Sequence, residues 1–361
     1  MGHLRPGEAL IEVLAERNIS VLASRYNIKN KRFLRNPFQE TAVHMLVKRS
    51  AIDTKSGIGC KKWYKGCLKD KCVWYGLRGV SCKSDSVHGK DGDVNVETFK
   101  ELVTEYPKIG IYMGFAELHT PKELRKLKMQ LRETLNAVRT FLWDEHLVLI
   151  DLPVNIDVGL DSKFVSVKKI DEIEQEDNVI LLDPNADEGL APSELMNAKY
   201  FLLGGIVDKE VPRPGLTSSI PCKNCLRRRI SLRGSTVGVP QIIHKLVYSL
   251  LRARFELGGN IEKAIIEMMG STEKRWRIAK EMIYAYRYGE DPIRRAIEVA
   301  KWLGASCKDV LYAAKMSGLK VDANEVQAIY CGSRGFEDGK GEDSNSSGSR
   351  IMRGGIQSIR E

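Results

Sequence analysis

The chain has 361 residues, 43% of them apolar and 29% charged, with a net charge of +10. That is enough length for a substantial core divided over two or three domains. No stretch approaches the roughly 20 uninterrupted apolar residues of a membrane span. The N-terminal stretch carries Glu8, Glu12 and Glu16 and lacks the apolar run of a signal peptide, so a cytoplasmic protein without a membrane partner is expected. Residues 1–90 hold 18 Lys/Arg against 7 Asp/Glu, and residues 209–254 hold 10 against one acid, Glu210. Two basic blocks separated by nearly neutral protein point to a polyanion touched at two places, the alternative being a lysine-rich solvated surface.

In chain order, the first 50 residues read as helix and coil. Residues 51–92 are basic, aromatic and rich in Gly and Cys. A strand is expected at 109–115, followed by a helix that opens with Thr120 at the N-cap, Pro121 at N1 and Glu123 completing a capping box. Leu124, Leu127, Leu131, Leu135, Val138 and Leu142 line its apolar face. Strands are expected at 146–152, 178–184, 199–207 and 228–232, and a helix from Pro240 with Ile242, Ile243, Leu246, Val247, Leu250 and Leu251 turned inward. Continuous apolar strands interleaved with helices define an α/β domain on a mostly parallel sheet. Residues 260–330 read as all-helical, with Asp291–Pro292 as a cap pair. The division is an N-terminal basic domain (1–94), the α/β domain (95–257), a helical domain (258–331) and a Gly/Ser-rich tail (332–361) too poor in apolar residues to fold.

The segment FLLGGIVDKE at 201–210 concentrates the chemistry. In open parallel sheets, ligands bind beyond the carboxyl ends of the strands. Gly204 and Gly205 there permit φ > 0 and close approach of a ligand to the backbone, and Asp208 follows at the rim. The glycine pair alone would equally suit a tight strand-to-loop turn. Two further strand ends repeat the arrangement: Asp183 closes one, and Gly234, Ser235, Thr236 and Gly238 follow the next. Asp183 suits either a ligand contact or loop chemistry. Neither a GxGxxG fingerprint nor a Walker A sequence is present, which argues against the common nucleotide folds.

YFLLGGIVDKEVPRPGLTSSI (200–220) followed by RRISLRGSTVGVPQIIHKLVYSLL (228–251) resembles the archaeal tRNA purine-9 N1-methyltransferases, knotted enzymes of the SPOUT superfamily. The likeness is strong over 105–250 and looser over 260–330, with ELHTPKELRKL (117–127) in the expected order. It implies a C-terminal trefoil knot, an exception to the rule against threaded connections, and S-adenosylmethionine as methyl donor. Carried over, Leu203, Gly204, Gly205, Ile206, Val207, Ile230, Ser231, Leu232, Thr236, Gly238 and Pro240 hold the cofactor, and Asp208 faces the base; Asp183 is a second acid suited to a cofactor ribose contact or to ordering water. It also implies a monomer with tRNA as substrate, modified at N1 of the purine at position 9; guanine N1 must first lose a proton and adenine N1 need not, which favours adenine and leaves guanine or both open. Other readings are a related enzyme acting at another RNA site and an RNA-binding protein on a relic scaffold.

Arg227, Arg228, Arg229 and Arg233 beside the pocket, and Lys274, Arg275 and Arg277 in the helical domain, are expected phosphate contacts, although an edge strand facing solvent would look much the same. His244 reads as a packing or surface residue. Cys60, Cys67, Cys72 and Cys82 fall as C-x6-C-x4-C-x9-C, and a segment so poor in aliphatic residues suggests a metal-held mini-domain. Structural zinc, an iron–sulfur cluster, and disulfides or free thiols all fit that spacing. Trp63, Tyr64, Trp74 and Tyr75 serve either as base-stacking platforms or as this segment's core. Cys222 and Cys225 suggest a loop staple.

Overall fold

A computed structural model of the chain describes residues 3–26, 36–160, 163–320 and 323–331. The expectation of a disordered tail therefore lies outside the described residues. The chain divides into two compact units, Met1–Glu273 and Lys274–Glu361.

The first unit holds two six-stranded sheets. Its N-terminal part runs α1 (Pro6–Glu16), β1 (Val21–Ser24), α2 (Pro37–Lys48), β2 (Ala51–Asp53), β3 (Gly59–Leu68), β4 (Lys71–Arg78), β5 (Cys82–Lys83) and β6 (Ser86–Gly89). Glu8 accepts the Arg5 N–H at the start of α1 at 2.9 Å, and Asn36 caps α2 by accepting from Phe38 at 3.0 Å. The strand order is β2-β6-β1-β4-β3-β5, with β1 parallel to β4 and β6 and the other pairs antiparallel. Leu10, Leu14, Phe38, Met45 and Leu46 of the two helices pack with Leu22, Val73 and Tyr75 into one core.

This overturns two expectations. The first 50 residues contribute a strand as well as helices, and the cysteine-bearing segment builds a core by packing on those helices. Nor do the four cysteines converge on a metal. Cys67 faces Cys72 across the β3–β4 hairpin and Cys60 faces Cys82 on β5, and each pair is a disulfide. Cys60 and Cys67 lie seven residues apart along one extended strand, which at about 3.3 Å per residue spreads them over some 23 Å. One tetrahedral ion cannot reach both. Tyr75 belongs to the core and Tyr64 packs against it, whereas Trp63 is exposed.

The second sheet follows: β7 (Lys108–Tyr112), α3 (Pro121–Phe141), β8 (Leu147–Ile150), β9 (Ser166–Lys168), α4 (Ile170–Ile173), β10 (Val179–Leu182), α5 (Pro192–Asn197), β11 (Tyr200–Gly204), β12 (Leu226–Arg228), α6 (Ile243–Glu256) and α7 (Ile261–Met268). Every pairing in it is parallel, in the order β12-β10-β11-β7-β8-β9. The capping box of α3 forms as expected, with Thr120 and Glu123 exchanging bonds of 3.2 Å, and its leucine stripe is buried from Leu127 onward. Strand β9 was not anticipated, and β12 begins two residues earlier than expected. Beyond β12 the chain folds into a tight turn, with Leu232 paired to Ser235 and positive φ at Arg233 and Gly234, so Ile230–Leu232 cannot continue the ladder.

The second unit is helical: most of α8 (Ser271–Arg287), then α9 (Pro292–Leu303), α10 (Cys307–Ser317) and α11 (Ala323–Val326). Asp291 caps α9 by accepting from Ile293 at 2.8 Å, and Gly304 ends it in the left-handed conformation. Among the described residues, no helix is long and apolar enough to cross a membrane.

Candidate active site

All six strands of the parallel sheet point the same way, so the loops after β10, β11 and β12 gather at one end. They enclose a cleft of about 420 Å³. Its walls are Leu182 to Asn185 after β10; Leu203, Gly204, Ile206, Asp208 and Arg213 to Thr217 after β11; and Ile230, Thr236, Val239 to Gln241, Ile243 and Leu246 beyond β12. Three consecutive strand ends thus make a single pocket, apolar at Leu182, Leu203, Ile230 and Leu246 and polar at its mouth.

Of the residues expected to hold a ligand, Leu203, Gly204, Ile206, Asp183, Ile230, Thr236 and Pro240 line the cleft. Gly205, Val207, Ser231, Leu232 and Gly238 do not line it. Gly205 donates its N–H to the Tyr112 carbonyl at 2.8 Å, and a Cβ there would meet that oxygen at 2.7 Å and Met113 Sδ at 2.8 Å. Its smallness serves strand packing. Val207 is buried, Leu232 closes the tight turn, and Gly238 bends the third loop with φ +92°. Neither Gly204 nor Gly205 has positive φ, so the reason expected for the pair gives way to close approach. At Gly204 a Cβ would sit 2.8 Å from Ile206 and 3.4 Å from Thr217, narrowing the cleft itself.

Asp208 stands exposed at the rim. The loop that carries it is pinned by three side chains: Arg213 and His119, which sequence reading passed over, and Glu123, which it read only as a helix cap. Arg213 donates to the carbonyls of Val207 (3.2 Å), Val211 (3.0 Å) and Leu118 (2.5 Å), and to Glu123 at 3.0 Å. Glu123, buried beside the cap it completes, also accepts the N–H groups of Glu210 at 2.9 Å and Val211 at 3.2 Å. Arg213, first among these partners, holds the Glu123 carboxyl well below the usual carboxylate range. His119 Nε2 accepts the Val207 N–H at 2.9 Å, which leaves the ring proton on Nδ1, facing the Ala116 carbonyl at 3.1 Å. The signal for this clamp was present in the chain, since Glu123 is the capping-box residue and Arg213 sits between two prolines five residues beyond Asp208.

Asp183 is buried, and its oxygens are engaged: Oδ1 accepts from Asn185 N–H and Ser218 Oγ, both at 3.0 Å, and Oδ2 from Arg227 at 3.4 Å. It orders two cleft loops at once. Arg227 also donates to the carbonyls of Ser218 and Ile220, and Arg228 grips Glu194 and Glu188. These two arginines hold the sheet edge and its loops together. Arg229 donates to the Ala186 carbonyl, and the Arg233 N–H donates to Glu262. In the helical unit Lys274 donates to the Gly304 carbonyl, and Arg275 pairs with Asp309 and lies 4.5 Å over Tyr312. Arg277 is only 2% exposed and paired with Glu281, so its expected role in RNA contact does not hold. Cys222 and Cys225 form a disulfide in the loop before β12, the staple expected there. His244, on the helix after the pocket, has a half-buried ring beside the cleft residue Ile243.

A parallel sheet with a cleft over three successive strand ends places the chain among the ligand-binding α/β folds. The chain is 23% identical to a Sulfolobus acidocaldarius Trm10 structure in complex with S-adenosylhomocysteine, at a TM-score of 0.65, covering 87% of this chain and 99% of that one. Among curated proteins it is 30% identical over 232 residues to the tRNA (adenine(9)-N1)-methyltransferase of S. acidocaldarius, covering 62% of this chain and 75% of that protein. It is 29% identical over 240 residues to the tRNA (guanine(9)-/adenine(9)-N1)-methyltransferase of Thermococcus kodakarensis, covering 59% of this chain and 63% of that protein. The family model described as protein arginine N-methyltransferase SFM1-like matches residues 145–251. The chain belongs to the Trm10-like family of tRNA purine-9 N1-methyltransferases.

Proposed function

We propose that this chain transfers a methyl group from S-adenosylmethionine to N1 of the purine at position 9 of tRNA. The observation that carries the reading is the cleft: a glycine-floored pocket beyond a parallel sheet, with Asp208 at its mouth. The match to the arginine methyltransferase model spans only 145–251, the part that builds the cleft, so it bears on the donor's site rather than on the acceptor. The pocket suits the donor, because a side chain at Gly204 would fill the space between Ile206 and Thr217. Bound there, S-adenosylmethionine supplies a methyl group on a sulfonium, reactive toward a nitrogen lone pair. Leu182, Leu203, Ile230 and Leu246 exclude water from it, and Asp183 holds the loops of Asn185 and Ser218 in place.

N1 of guanine carries a proton at neutral pH, so Asp208 accepts that proton when guanine is the substrate. N1 of adenine already offers a lone pair, and there Asp208 steadies the positive charge of the product. Adenine needs no proton removed before attack, and it is the preferred base in this reading. We extend the proposal to a trefoil knot in the segment 204–251, to action as a monomer in the cytoplasm, and to tRNA contacts from residues 1–94 and 258–331. The strong basic charge of residues 1–90 supports the first of those contacts.

The test is methyl transfer to two unmodified tRNA transcripts identical except for A or G at position 9, with wild type and Asp208→Asn side by side. N1 methylation at position 9 is the expected result. Cofactor binding without methylation of either transcript would redirect the reading to another RNA target.

A further inference from the structure

The helical unit exposes an unusual amount of aromatic surface. Trp276 is 53%, Tyr284 55% and Tyr286 64% exposed on α8, and Tyr288, in the turn one residue past its end, is 67% exposed. Trp276, Lys280, Tyr284 and Tyr288 recur at intervals of four, so they form one stripe along the solvent side of the helix. The opposite side, with Arg277, Ile278, Met282 and Ala285, is buried in the unit's core. Along the stripe the Tyr284 and Tyr288 rings pack at 4.5 Å, and the Lys280 ammonium lies 5.7 Å over the Trp276 ring. A soluble domain rarely leaves such a strip uncovered unless something docks on it.

From this arrangement we infer that the α8 stripe is a docking platform for unpaired bases of the tRNA, separate from the cleft. The inference rests on the tRNA reading above and adds to it a second contact surface. The chemistry favours nucleic acid over a protein partner. Flat π-faces stack on any base, and the cations set among them, Lys280 within the stripe and Arg287 beside Tyr288, meet the backbone phosphates. Of the acids beside the stripe, Glu281 is taken up by Arg277 and Arg295 and Glu273 by Lys245, which leaves Glu290 in the turn after Tyr288 against the cations Lys280 and Arg287. Bases splayed from a loop or bulge fit this surface, whereas a paired stem presents only phosphates to it.

The experiment measures binding of an unmodified tRNA transcript and of S-adenosylhomocysteine to the full chain, for wild type, the double variant Trp276→Ala/Tyr284→Ala, and Trp276→Phe. The expected result is a roughly tenfold loss of tRNA affinity in the double variant, unchanged S-adenosylhomocysteine affinity, and near-wild-type tRNA binding by Trp276→Phe. The double variant should keep the salt dependence of binding, and Lys280→Ala should reduce it. A double variant that binds and is active like wild type overturns the platform while leaving the methyltransferase reading intact. A wild type that binds no tRNA overturns both. Self-association by sedimentation that disappears in the double variant, with tRNA affinity intact, assigns the stripe to a second copy and overturns the inference.

Discussion

At the scale of single residues, Asp208 and the clamp behind it make distinct predictions. On the proposed role of Asp208 as proton acceptor for guanine, Asp208→Asn should cause a selective loss: about 100-fold or more on a G9 transcript and much smaller on A9. Arg213→Ala acts differently, because it frees the carbonyls of Val207, Val211 and Leu118 together. It should lower turnover on both transcripts alike and weaken S-adenosylhomocysteine binding, which isothermal titration would read. The Glu123 carboxyl is lowered in the folded state, so its contribution is fully present above the unfolded value of about 4.3 and is lost as pH falls below it. The difference in thermal midpoint between wild type and Glu123→Gln should therefore be constant near neutral pH and shrink below about pH 4.3. His88 follows the same sign for another reason: burial, with His44 nearby, pushes it down to about 3. The unfolded chain binds this proton below about pH 6.5 and the folded chain does not, so stability should fall from there toward pH 3. His88→Leu should flatten that slope.

At the scale of elements, the strands of the parallel sheet were legible because each is a short continuous apolar run, a signature of strands buried on both faces. Residues 147–150, 179–182 and 200–204 lie within their expected spans, and 108–112 begins one residue before its own. The edge strand β9 was not legible, since SVK is too short and too polar to show a period. The N-terminal strands escaped for a related reason. Their core is completed by helices distant in sequence, as in the packing of Phe38 against Tyr75, 37 residues on, and no local pattern reports that. The cleft was legible to the extent that it follows strand ends; the Arg213–Glu123 clamp joins residues 90 apart and was not. Two substitutions test these elements. Gly205→Ala forces a Cβ against the Tyr112 carbonyl and should destabilise the first unit by about 1–3 kcal/mol in chemical denaturation. Reduction of Cys60–Cys82, which are 22 residues apart, should cost about 3 kcal/mol by the loop-entropy account. A reductant should thus lower the thermal midpoint by several degrees, and a zinc chelator should leave it unchanged.

At the scale of the whole molecule, charge and fold answer separate questions. The +10 net charge raises the local concentration of a polyanion without selecting a site on it. Selection belongs to the cleft, whose walls come from three loops that are sequential in the chain and adjacent in the sheet. Salt should therefore weaken tRNA binding steeply and leave S-adenosylhomocysteine binding nearly unaffected, a contrast that filter binding and calorimetry at 50 and about 200 mM salt would show.

The parallel sheet also has two open edges, β12 and β9, each three residues long. Unpaired edge backbone is a template for another chain, and short strands bearing cations are one way a protein discourages that. Arg227 and Arg228 on one edge and Lys168 on the other fill this role. The arginine run beside the cleft is therefore a guard against intermolecular strand addition as well as a brace for the loops. Neutralising it to retune RNA recognition would leave a protein prone to stacking into insoluble sheet, with solubility lost before specificity changes.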